Sequence, residues 1–324
     1  MRAKPDKMFI LSVLLVILTL SSVTVFVRPA SGQATLQTII IQPDGSVYPA
    51  SAPIQRSGNT YTFTNNTYAA LKILKSNIVL DGAGYTLRGP YNGTSSDVFV
   101  IGQGPNQLPQ GTLEEYVIGV DLGNSSVNGV TIQNLNIMNF SIGTYLWTQN
   151  DTLIGNSVSD NIIGVLLSGS NNNIVKNYIA NNTRGLFFGF NTPGQTPSDI
   201  IVSQNSFEYN AVQLIGCQCK AYNLSEPPHN WDNGKLGNYW SDYNGTDANH
   251  DGIGDTPYII DPVDHDRFPL MQSRVQPPVP ASSSSSWMAA PLIVETMAIA
   301  ISIPAVLVFA FSALMRKRKK KPNY

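Results

Sequence analysis

The sequence predicts an all-β protein, built as a right-handed parallel β-helix in which short strands wind into a solenoid. The first reason is a repeat of 21 residues between Gly129 and about Ile215. A fixed period of this size is typical of solenoids, in which each repeat buries its apolar face only against its neighbours. Five columns share the spacing: Gly143, Gly164 and Gly185; Ile132, Leu153 and Ile174; Ile137, Val158 and Ile179; Asn156 and Asn177; and Asn161 and Asn182.

The second reason is that apolar residues alternate within each repeat, as in Ile163, Val165 and Leu167. Alternation with period two indicates short strands with one face inward. Asn and Gly close the strands, and both tolerate the left-handed backbone of a corner. Three short strands and three corners make one coil. A leucine-rich repeat, the alternative, needs a longer leucine pattern and a helical return, and the sequence has neither.

An insertion of seven residues, near 191–198, lengthens one interval of the repeat to 28 residues. The columns then resume with Val202, Asn205, Phe207 and Asn210. Because successive coils stack about 4.8 Å apart, equivalent Asn side chains should hydrogen bond amide to amide along the axis.

The exported part of the chain divides into four segments. We expect an N-terminal β cap at 35–76 and coils at 77–219, with Asn77–Gly89 as the first regular coil. A loop rich in Gly, Pro, Gln and Ser, 90–116, should project from the coils. An acidic capping segment, 220–271, and a flexible Pro/Ser stalk, 272–287, follow.

Both ends of the chain carry membrane-type signals. Residues 1–34 start with bases, continue with an apolar run and end in small residues, which is typical of a signal peptide; the length of the run also fits an uncleaved signal anchor. The transmembrane candidate 292–315 contains a run of 20 uncharged residues, and the basic tail 316–324 follows. Positive residues stay inside, so we expect a single-pass plasma-membrane protein with the solenoid outside the cell and the tail in the cytoplasm.

The charge of the exported part differs from that of the whole chain. Residues 35–280 hold 10 Lys and Arg against 19 Asp and Glu, although the net charge of the chain is −1. This part therefore lacks the basic surface that nucleic-acid binding needs. Eight Asn-x-Ser/Thr sequences are compatible with a surface glycoprotein. They begin at Asn65, Asn92, Asn124, Asn139, Asn150, Asn181, Asn223 and Asn244.

An outward apolar row is predicted on one face of the coils. If the alternating residues such as Val165 point inward, then Tyr145, Leu166, Phe187 and Ile215 point outward and stack. An apolar row on the outside calls for a ligand or a cover. Aromatic faces suit sugar rings, so Tyr145 and Phe187 are candidate ligand-binding residues. The alternative is that loop 90–116 or the C-terminal segment covers the row.

The acidic segment contains a calcium-type loop, and we expect calcium as its cofactor. Positions 1, 3, 5, 7 and 9 supply oxygen ligands, with the position 7 ligand being a backbone carbonyl. These positions are Asp247, Asn249, Asp251, Ile253 and Asp255. Tyr258 replaces the bidentate Glu of position 12, and no helices flank the loop, so it is not an EF-hand. Asp242, Asp261 or water would complete the shell; the alternative is a solvated turn.

A soft-metal site and a catalytic site are weaker interpretations. Cys217 and Cys219 are the only cysteines. A disulfide between them would be strained, and with His229 they could bind Cu(I). No catalytic motif is recognisable, because the chain lacks G-x-S-x-G, paired metalloprotease histidines and a framed pair of carboxylates. Candidate acids on or near the coils are Asp160, Asp199 and Glu208.

The coils resemble the NosD-like parallel β-helix family, also described as carbohydrate-binding and sugar-hydrolase β-helix repeats. A closing block resembles the one that ends many such proteins, and it consists of Asn230–Asp232, Gly237–Tyr243, Asp251–Tyr258 and Phe268–Met271. The resemblance covers about residues 70–271. It implies a periplasmic copper-binding accessory role in the maturation of nitrous oxide reductase.

The chain departs from that pattern in its C-terminal anchor and its few soft ligands. It looks more like the membrane-anchored surface members found in archaea. The acid, His and Arg signatures of polygalacturonases and pectate lyases, which share the fold, are not recognisable in the sequence. We therefore expect a surface binding or adhesion module for a glycan or cell-envelope polymer. The alternatives are a copper-handling accessory protein and a polysaccharide hydrolase or lyase.

Overall fold

The computed structural model of the chain describes residues 36–91, 117–189, 196–216 and 228–280. All described residues belong to one compact unit. All the regular secondary structure in the described part consists of β-strands. Most of the strands pair in parallel and wind into a solenoid. The all-β prediction is therefore confirmed, and the arrangement is compatible with a parallel β-helix.

Each coil contributes one strand to each of three faces. Face A contains β8 (Ile118–Leu122), β11 (Ile142–Leu146), β14 (Ile163–Leu167), β17 (Arg184–Phe188) and β20 (Val212–Ile215). Face B contains β6 (Val79–Asp81), β9 (Thr131–Gln133), β12 (Thr152–Ile154), β15 (Asn173–Val175) and β18 (Ile201–Ser203). Face C contains β7 (Thr86–Arg88), β10 (Asn136–Met138), β13 (Ser157–Ser159), β16 (Tyr178–Ala180), β19 (Ser206–Glu208) and β21 (Tyr239–Trp240).

Strands outside the regular coils extend these faces at both ends. The N-terminal strands are β1 (Gln37–Ile41), β2 (Val47–Tyr48), β3 (Ile54–Ser57), β4 (Thr60–Phe63) and β5 (Thr67–Ile73). The long strand β5 pairs with both β7 and β8, so faces A and C belong to one 14-stranded sheet. Face B, with β3 and β4, forms a 7-stranded sheet. A small hairpin, β22 (Tyr258–Ile259) with β23 (His265–Asp266), lies in the capping segment.

The strand register confirms the columns of the repeat. On face B, Leu153 pairs with Ile132 and Ile174, and Ile174 pairs with Val202 across the longer interval. The pairing therefore continues unshifted past the insertion. Side chains of these columns fill a continuous apolar core inside the coils.

The corners explain why Asn and Gly recur. Three columns have positive φ, one at each corner of the coil, and they follow the same spacing of 21, 21 and 28 residues. These columns are Gly129, Asn150, Asn171 and Asp199; Asn134, Gly155, Lys176 and Gln204; and Asn139, Asp160, Asn181 and Tyr209. Glycine recurs at positions 143, 164 and 185 for a different reason, which is the close approach of the next coil. A Cβ at Gly164 would lie 2.6 Å from the carbonyl oxygen of Gly185 in the next coil.

Buried asparagines form ladders along the axis, as the sequence predicts. In the first ladder, the Asn156 backbone N–H and Nδ2 both donate to Oδ1 of Asn177, at 2.9 and 3.0 Å. The same pattern continues through Asn205 and Asn238. A second ladder runs through Asn161, Asn182 and Asn210. Because each amide is paired in both directions, the ladders hold successive coils in register.

Candidate functional site

The capping segment closes the last coil with a stack of aromatic rings. Trp240 on β21 continues the inward column of face C and stacks on Phe207, with ring centroids 4.4 Å apart. Tyr258 stacks in turn on Trp240, also at 4.4 Å. The apolar core therefore ends in Tyr258 rather than in open solvent.

The first asparagine ladder ends on a buried carboxylate. Asp266 accepts hydrogen bonds from the backbone N–H and Nδ2 of Asn238, from Nε1 of Trp240 and from the Phe268 N–H. Burial raises the pKa of Asp266 to about 6, although these donors favour the ionised form. The carboxylate thus fixes β23 to β21, the strand of the capping segment that extends face C beyond the last coil.

A groove of about 440 Å³ lies between the last coil and the capping segment. Three short stretches line it: 210–214, 241–242 and 258–260. The second asparagine ladder leads into this groove. Nδ2 of Asn210 donates to Oε1 of Gln213 at 2.8 Å, and Nε2 of Gln213 donates to Oγ of Ser241 at 2.8 Å. These bonds hold the floor of the groove rigid.

The opposite wall of the groove presents an aromatic ring beside a carboxylate. The Tyr258 hydroxyl lies 3.3 and 3.2 Å from the two carboxylate oxygens of Asp242. Burial first, and then the Asp242 carboxylate, raise the pKa of Tyr258 above its ordinary value. Ile259, next to it, is 60% exposed, and Tyr209, one residue before the lining, is 73% exposed. The groove thus combines apolar surface with hydrogen-bonding groups.

The calcium-type loop is an ordered turn on the surface of the capping segment. Asp247 accepts the N–H groups of Asp251 and Gly252, at 3.1 and 2.9 Å. Asp255 accepts the Ala248 N–H at 2.7 Å, and Asp251 accepts the Ile253 N–H at 2.8 Å. The carboxylates therefore converge on the backbone of the loop.

No group of three or more His, Cys, Asp or Glu in the described ranges has a geometry that could hold a metal ion. The additional ligands considered for the loop have other partners. Asp242 accepts from Tyr258, and Asp261 accepts the N–H groups of Val263 and Asp264. Calcium binding by Asp247, Asn249, Asp251, Ile253 and Asp255 stays a prediction.

The predicted outward row lies on face A with the expected register. Tyr145 pairs with Leu166, Leu166 with Phe187, and Phe187 with Ile215. The row belongs to a second apolar cluster, separate from the inner core. Tyr145 and Phe187 are only 4% and 1% exposed. A ligand could reach them only if their surroundings moved, and their role in binding stays a prediction.

Two donors beside this row have no hydrogen-bond partner among the described residues. They are Nη1 of Arg184 and Nε1 of Trp147. The Arg184 guanidinium lies 5.7 Å from the centre of the Phe187 ring. Its burial lowers the pKa of Arg184, because a cation is poorly solvated there.

The proposed copper ligands are only partly described. Cys217 and Cys219 lie outside the described residues. His229 is buried at the end of the core, where its ring stacks on Phe188 at 4.8 Å. Burial lowers the pKa of His229, and Asp264 opposes this effect. Neither ring nitrogen has a partner within the described ranges, so copper binding stays a prediction.

The sequons differ in exposure. Asn65, Asn150, Asn181 and Asn244 are exposed, and Asn124 and Asn139 are half-buried. Asn92 and Asn223 lie outside the described residues, as do the signal segment, most of loop 90–116, the transmembrane candidate and the basic tail. Within the described residues, no helix is long and apolar enough to cross a membrane.

Comparison with known proteins gives no assignment. No protein-family model matches the chain, and no curated protein matches it. The geometry of the site therefore carries the functional argument.

The groove was not foreseen from the sequence. Asn210 belongs to a predicted column and Tyr258 to the closing block, but nothing in the repeat indicates that they share a cavity with Asp242. The one available signal is Gln213, an amide that follows the asparagine column by three residues and so falls near the last ladder.

Proposed function

We propose that this protein is a membrane-anchored surface binding module for a glycan or cell-envelope polymer, which it binds in the groove at the end of the solenoid. The observation that carries this proposal is the composition of the groove. Its volume falls in the usual range for small-ligand sites, and an aromatic ring, an exposed isoleucine, a carboxylate and an amide line it. Sugar rings present apolar faces and many hydroxyls, and this lining matches both.

The charge around the groove favours a neutral glycan. Between Glu226 and Asp266 the chain has nine acids and one lysine. Asp242 can accept hydroxyl hydrogens from a sugar, whereas an acidic polymer would be repelled. Nε2 of Gln213 carries a second hydrogen besides the one that it donates to Ser241, and a ligand oxygen would suit it.

Binding is favoured over hydrolysis by the number of carboxylates. Glycosidases generally use a pair of carboxyl groups about 5–9.5 Å apart. Asp242 is the one acid among the described residues that line the groove. The polysaccharide hydrolase or lyase alternative would gain support if turnover were detected and lost in Asp242→Asn.

The test is a glycan array probed with the full chain in detergent, followed by affinity measurements on the best neutral ligand. Asp242→Asn should weaken binding about 10- to 100-fold, since hydrogen bonds to charged groups contribute about 1.5–3 kcal/mol. Asp160→Asn is the matched control, an acid at a corner outside the groove, and should bind as the wild type does. Loss of binding in Phe187→Ala but not in Asp242→Asn would place the ligand on face A instead.

We also propose that the loop Asp247–Asp255 binds calcium and stabilises the capping segment. Asp247, Asn249, Asp251 and Asp255 lie at the ligand spacing of a calcium loop, which supports this, because a divalent cation would offset the repulsion among the three carboxylates. Affinity should be about 10⁻⁴–10⁻³ M, as in extracellular modules.

Calcium at millimolar concentration should raise the melting temperature relative to excess chelator. Asp251→Ala should abolish the shift. Identical melting curves with calcium and with chelator would leave the loop as a polar turn.

The finer family assignment is part of the proposal. We infer a right-handed β-helix of the NosD-like type, in its membrane-anchored form. The packing of the closing block on the last coil supports this inference, because Trp240 and Asn238 continue the core and the first ladder. The signal segment and the apolar run near the C terminus support the anchor and the surface location.

A further inference from the structure

The segment that follows the closing block is extended and lies against the solenoid. Ser206 Oγ donates to Oγ of Ser273 at 2.8 Å. Nδ2 of Asn136 donates to the carbonyl oxygen of Pro278 at 2.9 Å. We call residues 273–280 the strap. Contacts at two separated points show that the first part of the predicted stalk is docked rather than free.

The strap follows one column of side chains on the outside of face C. Strand register places Asn136, Ser157, Tyr178 and Ser206 in one row across neighbouring strands. The row points outward, because the residues that follow each member, such as Val158, are buried in the core. Ser206 and Ser157 are nonetheless only 0% and 5% exposed. Both serines therefore lie beneath other atoms of the protein, and Ser206 lies beneath the strap at Ser273.

The spacing of the two contacts agrees with a fully extended chain. From β19 to β10 there are three strand spacings, or about 14 Å. From Ser273 to Pro278 there are five residues, or about 16 Å in the polyproline II conformation. Pro277, Pro278 and Pro280 favour that conformation. The strap therefore runs straight along the solenoid axis, from the last coil towards the first.

A glycine at the first coil receives the end of the strap. Gly84 lies in the turn between β6 and β7 and has a φ of 81°. A Cβ at this position would overlap the Val279 carbonyl and the Pro280 nitrogen. The turn thus needs glycine both for its backbone angle and for the approach of the strap.

We propose that the strap attaches the tether of this protein at the first coil, so that the capping segment and its groove face away from the membrane. The chain leaves the last coil after Met271, and its last described residues, Val279 and Pro280, lie beside Gly84, about four strand spacings, or 19 Å, away. The orientation of the solenoid in this proposal rests on the proposed membrane anchor. The docking of the strap does not depend on that anchor.

Docking is tested by disulfide formation in the full chain, in a Cys217→Ser/Cys219→Ser background. Ser206→Cys with Ser273→Cys should form an intramolecular disulfide on mild oxidation, detected by mass spectrometry of the peptides. Ser157→Cys with Ser273→Cys is the matched control in the same column. Its two sites are separated by an extra two strand spacings, about 10 Å, which a disulfide cannot span. Equal bonding in both pairs, or none in the first pair with a native circular dichroism spectrum, would overturn the docked register.

Orientation is tested by energy transfer to acceptor lipids with the full chain in liposomes. Donor dyes are attached in the same background to Tyr48→Cys, beyond the first coil, or to Val263→Cys, in the capping segment; the native side chains are 60% and 49% exposed. Transfer should be stronger from position 48. The difference should shrink when Pro277, Pro278 and Pro280 are replaced by Gly. Equal transfer, or stronger transfer from position 263, contradicts attachment at the first coil. Failure of the chain to float with liposomes would refute the anchor, whereas the disulfide result would still decide the docking.

Discussion

Replacing Asp151 by asparagine should stabilise the protein at neutral pH. Asp151 is buried, with 1% of its surface exposed, and it occupies an asparagine-like place in a third ladder. Its Oδ1 accepts the Val130 N–H at 2.8 Å, and its other oxygen accepts the Thr148 hydroxyl hydrogen. One coil later, Asn172 accepts the Asp151 N–H at 2.8 Å in the equivalent bond. An asparagine at 151 keeps the bond to Val130, and its Nδ2 can donate to the Thr148 hydroxyl.

The gain follows from the pKa of the aspartate. Burial raises the pKa of Asp151 from 3.8 to about 6. A shift of this size corresponds to about 3 kcal/mol, at about 1.36 kcal/mol per pKa unit. The folded state binds the proton more tightly than the unfolded state. The stability that this proton contributes is therefore fully present below about pH 4 and is lost as the pH rises through about 6.

Urea denaturation followed by circular dichroism, on a fragment of residues 36–280, would measure the effect. At about pH 4 the variant and the wild type should be nearly equal in stability, and by about pH 7 the variant should be up to 3 kcal/mol more stable. Asp266 has a similarly raised pKa but is present in both proteins, so it cancels from the difference. Asp160→Asn is the control, because Asp160 is only half-buried at a corner, and its effect on stability at pH 7 should be much smaller than that of Asp151→Asn.

A difference between Asp151→Asn and wild type that does not change with pH would refute the reasoning. So would a variant that is less stable at neutral pH. Either result would mean that the carboxylate is retained for its hydrogen bonds with Thr148 and Val130, and that its burial costs little.

Two further predictions concern the repeat itself. Asn177→Ala should destabilise the fold by about 2–6 kcal/mol, because it leaves the Asn156 N–H and the Leu153 carbonyl without a partner in the core. Urea denaturation measures this loss, and a loss below about 1 kcal/mol would contradict the importance of the ladder. Gly164→Ala should lower the free energy of unfolding by about 1–3 kcal/mol, because the new Cβ would lie 2.6 Å from the Gly185 carbonyl oxygen. An unchanged melting temperature would show that neighbouring coils can separate to admit a methyl group.

The solenoid could be predicted from the sequence because its contacts repeat. Each coil touches mainly the coil before and the coil after it, so one packing arrangement is written several times at a fixed spacing. In each of the columns through Ile174, Asn177 and Gly164, the same contact between neighbouring coils occurs more than once. The outward row of Tyr145, Leu166, Phe187 and Ile215 was predictable for the same reason, since strand alternation and register determine it.

The exposure of that row was not predictable. Register places Tyr145 and Phe187 on the outside of face A, yet only 4% and 1% of their surfaces are exposed, and strand alternation does not predict that burial. The groove likewise needs Gln213 from the last coil, Asp242 from the capping segment and Tyr258 from a small hairpin. No local pattern in the sequence relates these three residues.

The sequence by itself determined the period, the corners and the asparagine ladders, because each depends on residues with a fixed local spacing. Only the tertiary structure decided where the non-repeating ends of the domain lie. The bond between Asn136 and Pro278 joins residues 142 positions apart. A contact of this kind occurs once, so it leaves no period in the sequence, and it depends on the whole intervening chain having folded into coils of the correct height.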